Sequence, residues 1–317
     1  MKRFTIKQLS SVLFIFLIAF VLSCSTSTES ENVEFTTLVN YLVDHDMDIP
    51  DILTDWIVPA SAIKDNLSNY YIIDIRSAAD YQSGHIPGAV NSTLADVLTT
   101  AQNNTAGKPI IVVCYTGQSA AHAVVALRLS GYRDAKVLKW GMSGWNSDFD
   151  KWTPNCKDVA VNHPNWTTDP PATPKEHDKP ILNTGKKDGA DILKARVQAL
   201  LSGGFQGIDA QTVLDNPDNY FINNYWPESA WNQYGHIKGA YRLYDNFSLA
   251  NGSYKYLDPD ATIVTYCWTG QTSSMITAYL TVLGYTAKSL KFGANGMIYS
   301  RLESHKWSGS ADYQYEK

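Results

Sequence analysis

Cysteine is scarce in this sequence: there are four in 317 residues, Cys24, Cys114, Cys156 and Cys267. That is too few for a disulfide scaffold at this length, so each must be read for its own chemistry. Basic residues are also outnumbered, 26 Lys and Arg against 31 Asp and Glu. Without a cluster of them the chain has little to neutralise a phosphate backbone, which argues against nucleic acid as a partner. The apolar run Val12–Leu22 is too short for a bilayer core, which needs ~20 residues. What is present is ample material for a core, 44% hydrophobic against 18% charged, in a chain long enough for two domains.

That apolar run follows Lys2, Arg3 and Lys7 and ends at Ser23-Cys24. A basic start, a short apolar stretch and a small residue describe a secretory signal peptide, expected here over 1–23. Its removal takes the basic count from 26 to 23 and the net charge from −5 to −8. Ser23-Cys24 resembles the lipobox of bacterial lipoproteins, which implies lipidation of Cys24 and attachment to a membrane; an ordinary secreted protein with an incidental Cys24 is the alternative. Residues 24–34 are polar without apolar periodicity and read as a tether. The expected location is the cell envelope outside the cytoplasm, on a periplasmic or outer-membrane face.

The sequence repeats itself. YYIIDIR at 70–76 matches YFINNYW at 220–226, GHIPGAV at 84–90 matches GHIKGAY at 235–241, and IIVVCYTGQSA at 110–120 matches IVTYCWTGQTS at 263–273. His85 to His236, Cys114 to Cys267 and Gly141 to Gly293 are 151, 153 and 152 positions apart. A period this long means tandem domains rather than a solenoid. Between the copies, residues 153–180 hold six of the thirteen prolines, predicting a semi-extended linker able to pack on either domain. Cys156 lies there without a counterpart and reads as an unpaired linker cysteine. The boundaries expected are 35–152 for the first domain, 153–184 for the linker and 185–317 for the second domain.

Within the first copy, Tyr71–Ile75, Ile110–Val113 and Val137–Trp140 are short β-rich runs, and Ser119–Leu129 carries apolar residues at helical spacing. In the second copy Thr262–Tyr266 and Met275–Leu283 play the corresponding strand and helix. Short apolar strands alternating with helices predict an α/β fold, each copy a parallel sheet flanked by helices.

In both copies a strand runs into a cysteine, a glycine turn and a helix: Cys114-Tyr115-Thr116-Gly117-Gln118-Ser119 and Cys267-Trp268-Thr269-Gly270-Gln271-Thr272. Ligands of parallel sheets bind at the carboxyl ends of strands. The amides of the turn and first helical turn lack internal partners, and the helix dipole adds positive potential, so a thiolate is favoured over a thiol. Gly117 and Gly270 let the backbone curl around an anion.

Each copy resembles a rhodanese domain. The first has Asp74 and Arg76 after a strand, Gly84–Ala89, Cys114 with Gly117 and Ser119, Gly131-Tyr132, then Leu138, Gly141, Gly144 and Trp145. The second keeps Gly235–Ala240, Cys267 with Gly270 and Thr272, and Gly284-Tyr285, but has Asn224, Trp226 and Met297 where Asp, Arg and Trp belong. The resemblance implies a sulfurtransferase with Cys114 and Cys267 as persulfide sites, a small anionic sulfur donor such as thiosulfate, a thiol or cyanide as acceptor, and neither metal nor organic cofactor. Phosphatases on the related fold carry Arg six residues after the cysteine; Ala120 and Ser273 stand there, which argues against that chemistry. Neither loop contains Lys or Arg, leaving open a neutral or protein persulfide donor.

Several other residues have plain structural readings. Asp74 and Arg76 are expected to form an ion pair behind the loop, His85 and His236 to be structural, and Ser119 and Thr272 to cap their helices with their hydroxyls. Trp145, Trp152 and Trp166 read as packing residues. Two rival functions stand beside the transferase: a persulfide or sulfide carrier without turnover, and a structural pair of inactive domains.

Overall fold

The computed structural model describes residues 26–317, with side chains described from Val33 onward. The expected signal peptide and Cys24 lie outside the described residues. The expected tether is in large part helix: Thr26–Asp44 is one continuous helix that buries Phe35, Leu38 and Leu42 completely. The polar residues 26–34 extend its first turns, and the apolar residues that stabilise it come later in the segment.

Two five-stranded sheets follow. The first consists of β1 (Ile57–Val58), β2 (Tyr71–Asp74), β3 (Val90–Asn91), β4 (Ile110–Val113) and β5 (Lys136–Leu138), in the order β1-β5-β4-β2-β3. All its pairings are parallel; Ile73 faces Val112 and Ile111 faces Lys136. β4 reads IIVV and is buried throughout, as a central parallel strand covered on both faces must be. After β6 (Trp166–Thr167), the second sheet is built from β7 (Gly207–Ile208), β8 (Phe221–Asn224), β10 (Tyr241–Arg242), β11 (Ile263–Tyr266) and β12 (Ala287–Leu290), with β9 (His236–Ile237) outside it. Its order, β10-β8-β11-β12-β7, repeats the first sheet strand for strand.

The helix after each cysteine, Gln118–Leu129 in the first unit and Gln271–Val282 in the second, is buried almost all round. A helix apolar on every side needs cover on every side. Each finds its own sheet on one face and the other helix on the opposite face, together with helix Gly189–Gly203. One apolar cluster therefore runs from Val112 and Val124 through Leu200 to Ile276 and Ile263, while each unit keeps a second core on its outer face. Arg128, buried at the end of the first of these helices, donates to the carbonyls of Ala135, Ile52, Thr54 and Asp55.

The expected linker is not a free spacer. Residues 157–167 are laid along the second unit: the Lys157 amide donates to the Asn295 carbonyl and the Ala160 amide to Met297, both at 2.9 Å, and β6 pairs antiparallel with β9. The chain's last residues do the same for the first unit. The Ala311 and Tyr313 amides donate to the carbonyls of Gly144 and Trp145, and His85 exchanges backbone bonds with Glu316 at 2.8 and 3.0 Å. The stretch that follows each unit thus completes the other. Trp145, Trp152 and Trp166 are packing residues; the first two are almost wholly buried, and Trp166 donates its indole N–H to the Tyr234 carbonyl.

Candidate active site

Cys114 lies directly after β4 and is 4% exposed. Its Sγ accepts the amides of Gly117 at 3.1 Å and Ala120 at 3.4 Å. Two features of the local sequence produce this. Gly117 takes the left-handed conformation, φ 81°, which turns the chain back towards the sulfur and starts the helix at Gln118. The turn after β5 then clamps the loop from the other side, with Met142 and Ser143 amides donating to the carbonyls of Cys114 and Tyr115. This turn approaches so closely that a Cβ on Gly141 would lie 2.3 Å from the Cys114 carbonyl oxygen. Trp140, just before it, is held at φ 67°, a costly conformation for a bulky side chain, and Phe292 repeats it at φ 62° in the second unit.

Cys267 is 1% exposed at the end of β11. Its sulfur accepts the Ser273 amide at 3.3 Å and contacts the Ser273 hydroxyl at 3.6 Å. Ser273 replaces Ala120, and its Oγ lies 2.9 Å from that of Ser289, a polar pair absent from the first unit. Both cysteines therefore point into amide-lined loops at helix N-termini, where backbone donors stabilise a sulfur anion.

The two loops lie against each other. Gln118 accepts the Phe292 amide at 2.8 Å through Oε1 and donates to the Thr116 hydroxyl at 3.0 Å. Gln271 reaches the opposite way, donating through Nε2 to the Thr116 carbonyl at 3.2 Å. A Cβ on Gly117 would sit 2.0 Å from Gln271 Nε2, and one on Gly270 2.4 Å from Gln118 Oε1. Each loop glycine thus packs against its neighbour's glutamine, and its positive φ is what favours glycine there.

The expected ion pair is present behind the first loop. Arg76 grips Asp74 through Nε and Nη2, the latter at 2.6 Å, and donates also to the Gly84 carbonyl. Burial works against the charge on Arg76, but the Asp74 carboxylate more than offsets it and the guanidinium is held protonated. Arg76 and Lys151 both lie over the Tyr115 ring, at 5.0 and 5.4 Å, and the Tyr115 hydroxyl donates to Asp80. In the second unit Asn224 donates to the Tyr266 hydroxyl, and Trp226 stacks on Trp268, which stacks in turn on His305. An aromatic stack has replaced the buried charges.

His85 stacks on Tyr81 and bonds its carbonyl, with Nε2 3.4 Å from Glu316; His236 stacks on Trp231 and faces Thr167 across β6 and β9. Those partners lie outside the cysteine loops, so both histidines hold the crossing segments. Burial pushes His236 down to about 4. The capping expected of Ser119 and Thr272 is not what forms. Gly117 and Gly270 occupy the N-cap positions and neither helix has a side-chain cap, because the left-handed glycine starts each helix two residues ahead of the hydroxyl. Thr269 instead accepts the Gln271 amide at 3.3 Å, and Thr272 lines a cavity beside Cys267. Cys156 is half-buried and unpaired, its thiol pushed up to about 11 by burial and by Asp150.

Sequence reasoning missed the glutamine bridges, the Ser273–Ser289 pair and the participation of Tyr225, Tyr244 and His305 around Cys267. Only the identity of Gln118 and Gln271 at matching positions hinted at the first.

The rhodanese-like domain family matches residues 60–148 and 209–297, together more than half of the chain. The chain is 32% identical over 80 residues to the thiosulfate sulfurtransferase GlpE of Pseudoalteromonas translucida (strain TAC 125), covering 25% of this chain and 76% of that protein. It is 33% identical over 81 residues to GlpE of Pseudomonas savastanoi pv. phaseolicola (strain 1448A / Race 6), covering 25% and 74%. Among solved structures, a thiosulfate sulfurtransferase from Pseudomonas aeruginosa aligns over 88% of this chain and 49% of its own, at 15% identity and a TM-score of 0.31, a likeness too slight to bear on function. The family match and the two relatives suffice: the chain belongs to the rhodanese family, with two such domains in tandem.

Proposed function

We propose that the protein is a sulfurtransferase that carries sulfane sulfur as a persulfide on Cys114 and on Cys267. The observation that carries this reading is the pair of backbone amides aimed at the Cys114 sulfur from the loop and first helical turn. They stabilise negative charge on the thiolate and on the outer sulfur of a persulfide alike. With thiosulfate as donor, the thiolate attacks the outer sulfur, the sulfur–sulfur bond breaks, and sulfite leaves with the electron pair. A thiol or cyanide then takes the outer sulfur and returns the thiolate.

Intact and peptide masses before and after thiosulfate test the reading. One added sulfur on Cys114, lost on adding cyanide, is the expected result, and Cys114→Ser removes most of the thiosulfate-dependent transfer. Failure of every sulfane donor to load either cysteine overturns it. A carrier without turnover is the second reading, favoured by the absence of Lys and Arg from both loops; stoichiometric loading with slow release distinguishes it. Attachment to the cell envelope through Cys24 belongs to the same proposal, and metabolic labelling with a fatty acid, lost in Cys24→Ala, checks it.

A further inference from the structure

The two cysteine sites differ in their surroundings. Beside Cys267 is a cavity of about 750 Å³, within the range that takes a small organic molecule. Its walls come from both units: Leu53 and Trp56 precede β1, while Tyr225, Tyr244, Phe247 and Trp268 belong to the second unit. Tyr225 and Tyr244 meet edge to face at 4.9 Å, and the Trp268–His305 stack adds a second aromatic surface. Tyr244 is one of three large apolar side chains exposed among the described residues, at 38%, so the cavity opens past an aromatic rim.

Its charge is as informative as its shape. Among the described residues no Lys or Arg lines it, and Asp245, its one carboxylate, is paired with Arg242 at 2.5 Å. Burial and the nearby Lys139 push the His305 imidazole down, which favours its uncharged form. Lys139 itself lies over the Trp140 ring and lines a different depression. Tyr225 stands where the first unit has Ile75, and burial holds its phenol un-ionised, so the polar groups offered are neutral. A dianion entering here would surrender hydration beside a thiolate without a counter-charge, whereas an apolar group gains by leaving water.

We propose that this cavity binds the organic group of a hydropersulfide whose parent thiol carries no charged substituent, and that Cys267 takes the outer sulfur from it. The proposal rests on the sulfurtransferase reading above. The Cys267 thiolate attacks the outer sulfur of R–S–SH, the donor's sulfur–sulfur bond breaks, and the electron pair departs on R–S⁻. Cys267 then holds –S–SH, whose proton passes to the departing thiolate; no oxidant or reductant is consumed. Cys267 is thus assigned organic donors that carry no charged substituent, whatever donor loads Cys114.

The test uses the full chain carrying Cys114→Ser, loaded with benzyl hydropersulfide or with 4-carboxybenzyl hydropersulfide and followed by peptide mass. The two donors share a reacting group and differ by one carboxylate. Cys267 is expected to load at least tenfold faster from the donor without the carboxylate, with a rate that saturates in its concentration. Tyr244→Ala, at the exposed rim, is expected to weaken that saturation, and Tyr244→Lys to shrink the preference. Equal rates, a preference for the carboxylate, or loading that never saturates overturns the cavity assignment while leaving the sulfurtransferase reading intact. No loading of Cys267 from either donor also overturns it; if Cys114 in the Cys267→Ser variant then fails with thiosulfate as well, the underlying reading falls with it.

Discussion

Replacing Gln118 by Met removes an acceptor that belongs to one loop and serves the other. Met keeps the volume of a side chain only 3% exposed, so little cavity is created. What is lost is the bond from the Phe292 amide at 2.8 Å and the bond to Thr116 at 3.0 Å. Both bonds are only partly buried, so each is worth about 1 kcal/mol. The expected loss of stability is therefore about 1–2 kcal/mol, measured by urea unfolding. Phe292 begins the turn whose Ala294 and Asn295 amides hold the carbonyls of Cys267 and Trp268. Cys267 should consequently respond to a substitution in the Cys114 loop. In a Cys114→Ser background, Gln118→Met is expected to change the rate of Cys267 alkylation by iodoacetamide at least threefold. Gln271→Met, which loses only the 3.2 Å bond to Thr116, should cost about 1 kcal/mol. A loss under 0.5 kcal/mol for Gln118→Met, with Cys267 unchanged, would refute the idea that the loops are braced through this glutamine.

Gly117→Ala adds a Cβ at φ 81° and 2.0 Å from Gln271 Nε2, so at least a tenfold loss of sulfur loading at Cys114 is expected in the mass assay, with a smaller effect at Cys267. Arg76→Leu strands the Asp74 carboxylate, 1% exposed, and should cost ~3–5 kcal/mol by denaturant unfolding, with Asp74→Asn in the same chain recovering part of it. His122, wholly buried with one 3.4 Å bond to the Leu200 carbonyl, is pushed down to about 4 by burial. Its folded value lies below the unfolded value of about 6.5, so acid favours the unfolded chain. The neutral His122 contributes no such penalty above pH 6.5, and stability falls as the pH drops from 6.5 towards 4, by on the order of 3 kcal/mol from this residue. His122→Leu should flatten that part of the curve of unfolding free energy against pH; an unchanged slope would exclude His122 as its source.

Features set by local sequence were legible, and features set by contact between distant segments were not. The strand, cysteine, glycine and helix succession is local, and the structure places β4, Cys114, Gly117 and helix Gln118–Leu129 in that order. The expected helix Met275–Leu283 begins earlier, at Gln271, because the left-handed Gly270 starts it before any apolar periodicity begins. Asn224 and Trp226 look like decay of a motif when read in line. Their compensation is three-dimensional, through Tyr266, Trp268 and His305, which come from two later segments. The glutamine bridges were hidden for the same reason, since Gln118 and Phe292 are 174 positions apart.

The crossing of residues 157–167 onto the second unit, and of 311–316 onto the first, has a consequence for how the chain is made. A ribosome finishes the first sheet's sequence long before it supplies Ala311, Tyr313 and Glu316, so the backbone of His85, Gly144 and Trp145 waits for partners that come more than 160 residues later. Each half lends the other a segment that is bonded to its backbone. A chain lacking residues 311–316 loses the backbone bonds they make to His85, Gly144 and Trp145 in the amino-terminal half, and one severed in the proline-rich stretch leaves each half without a segment held by the other. The duplication has become a clasp, closed only once residues 311–316 have been made.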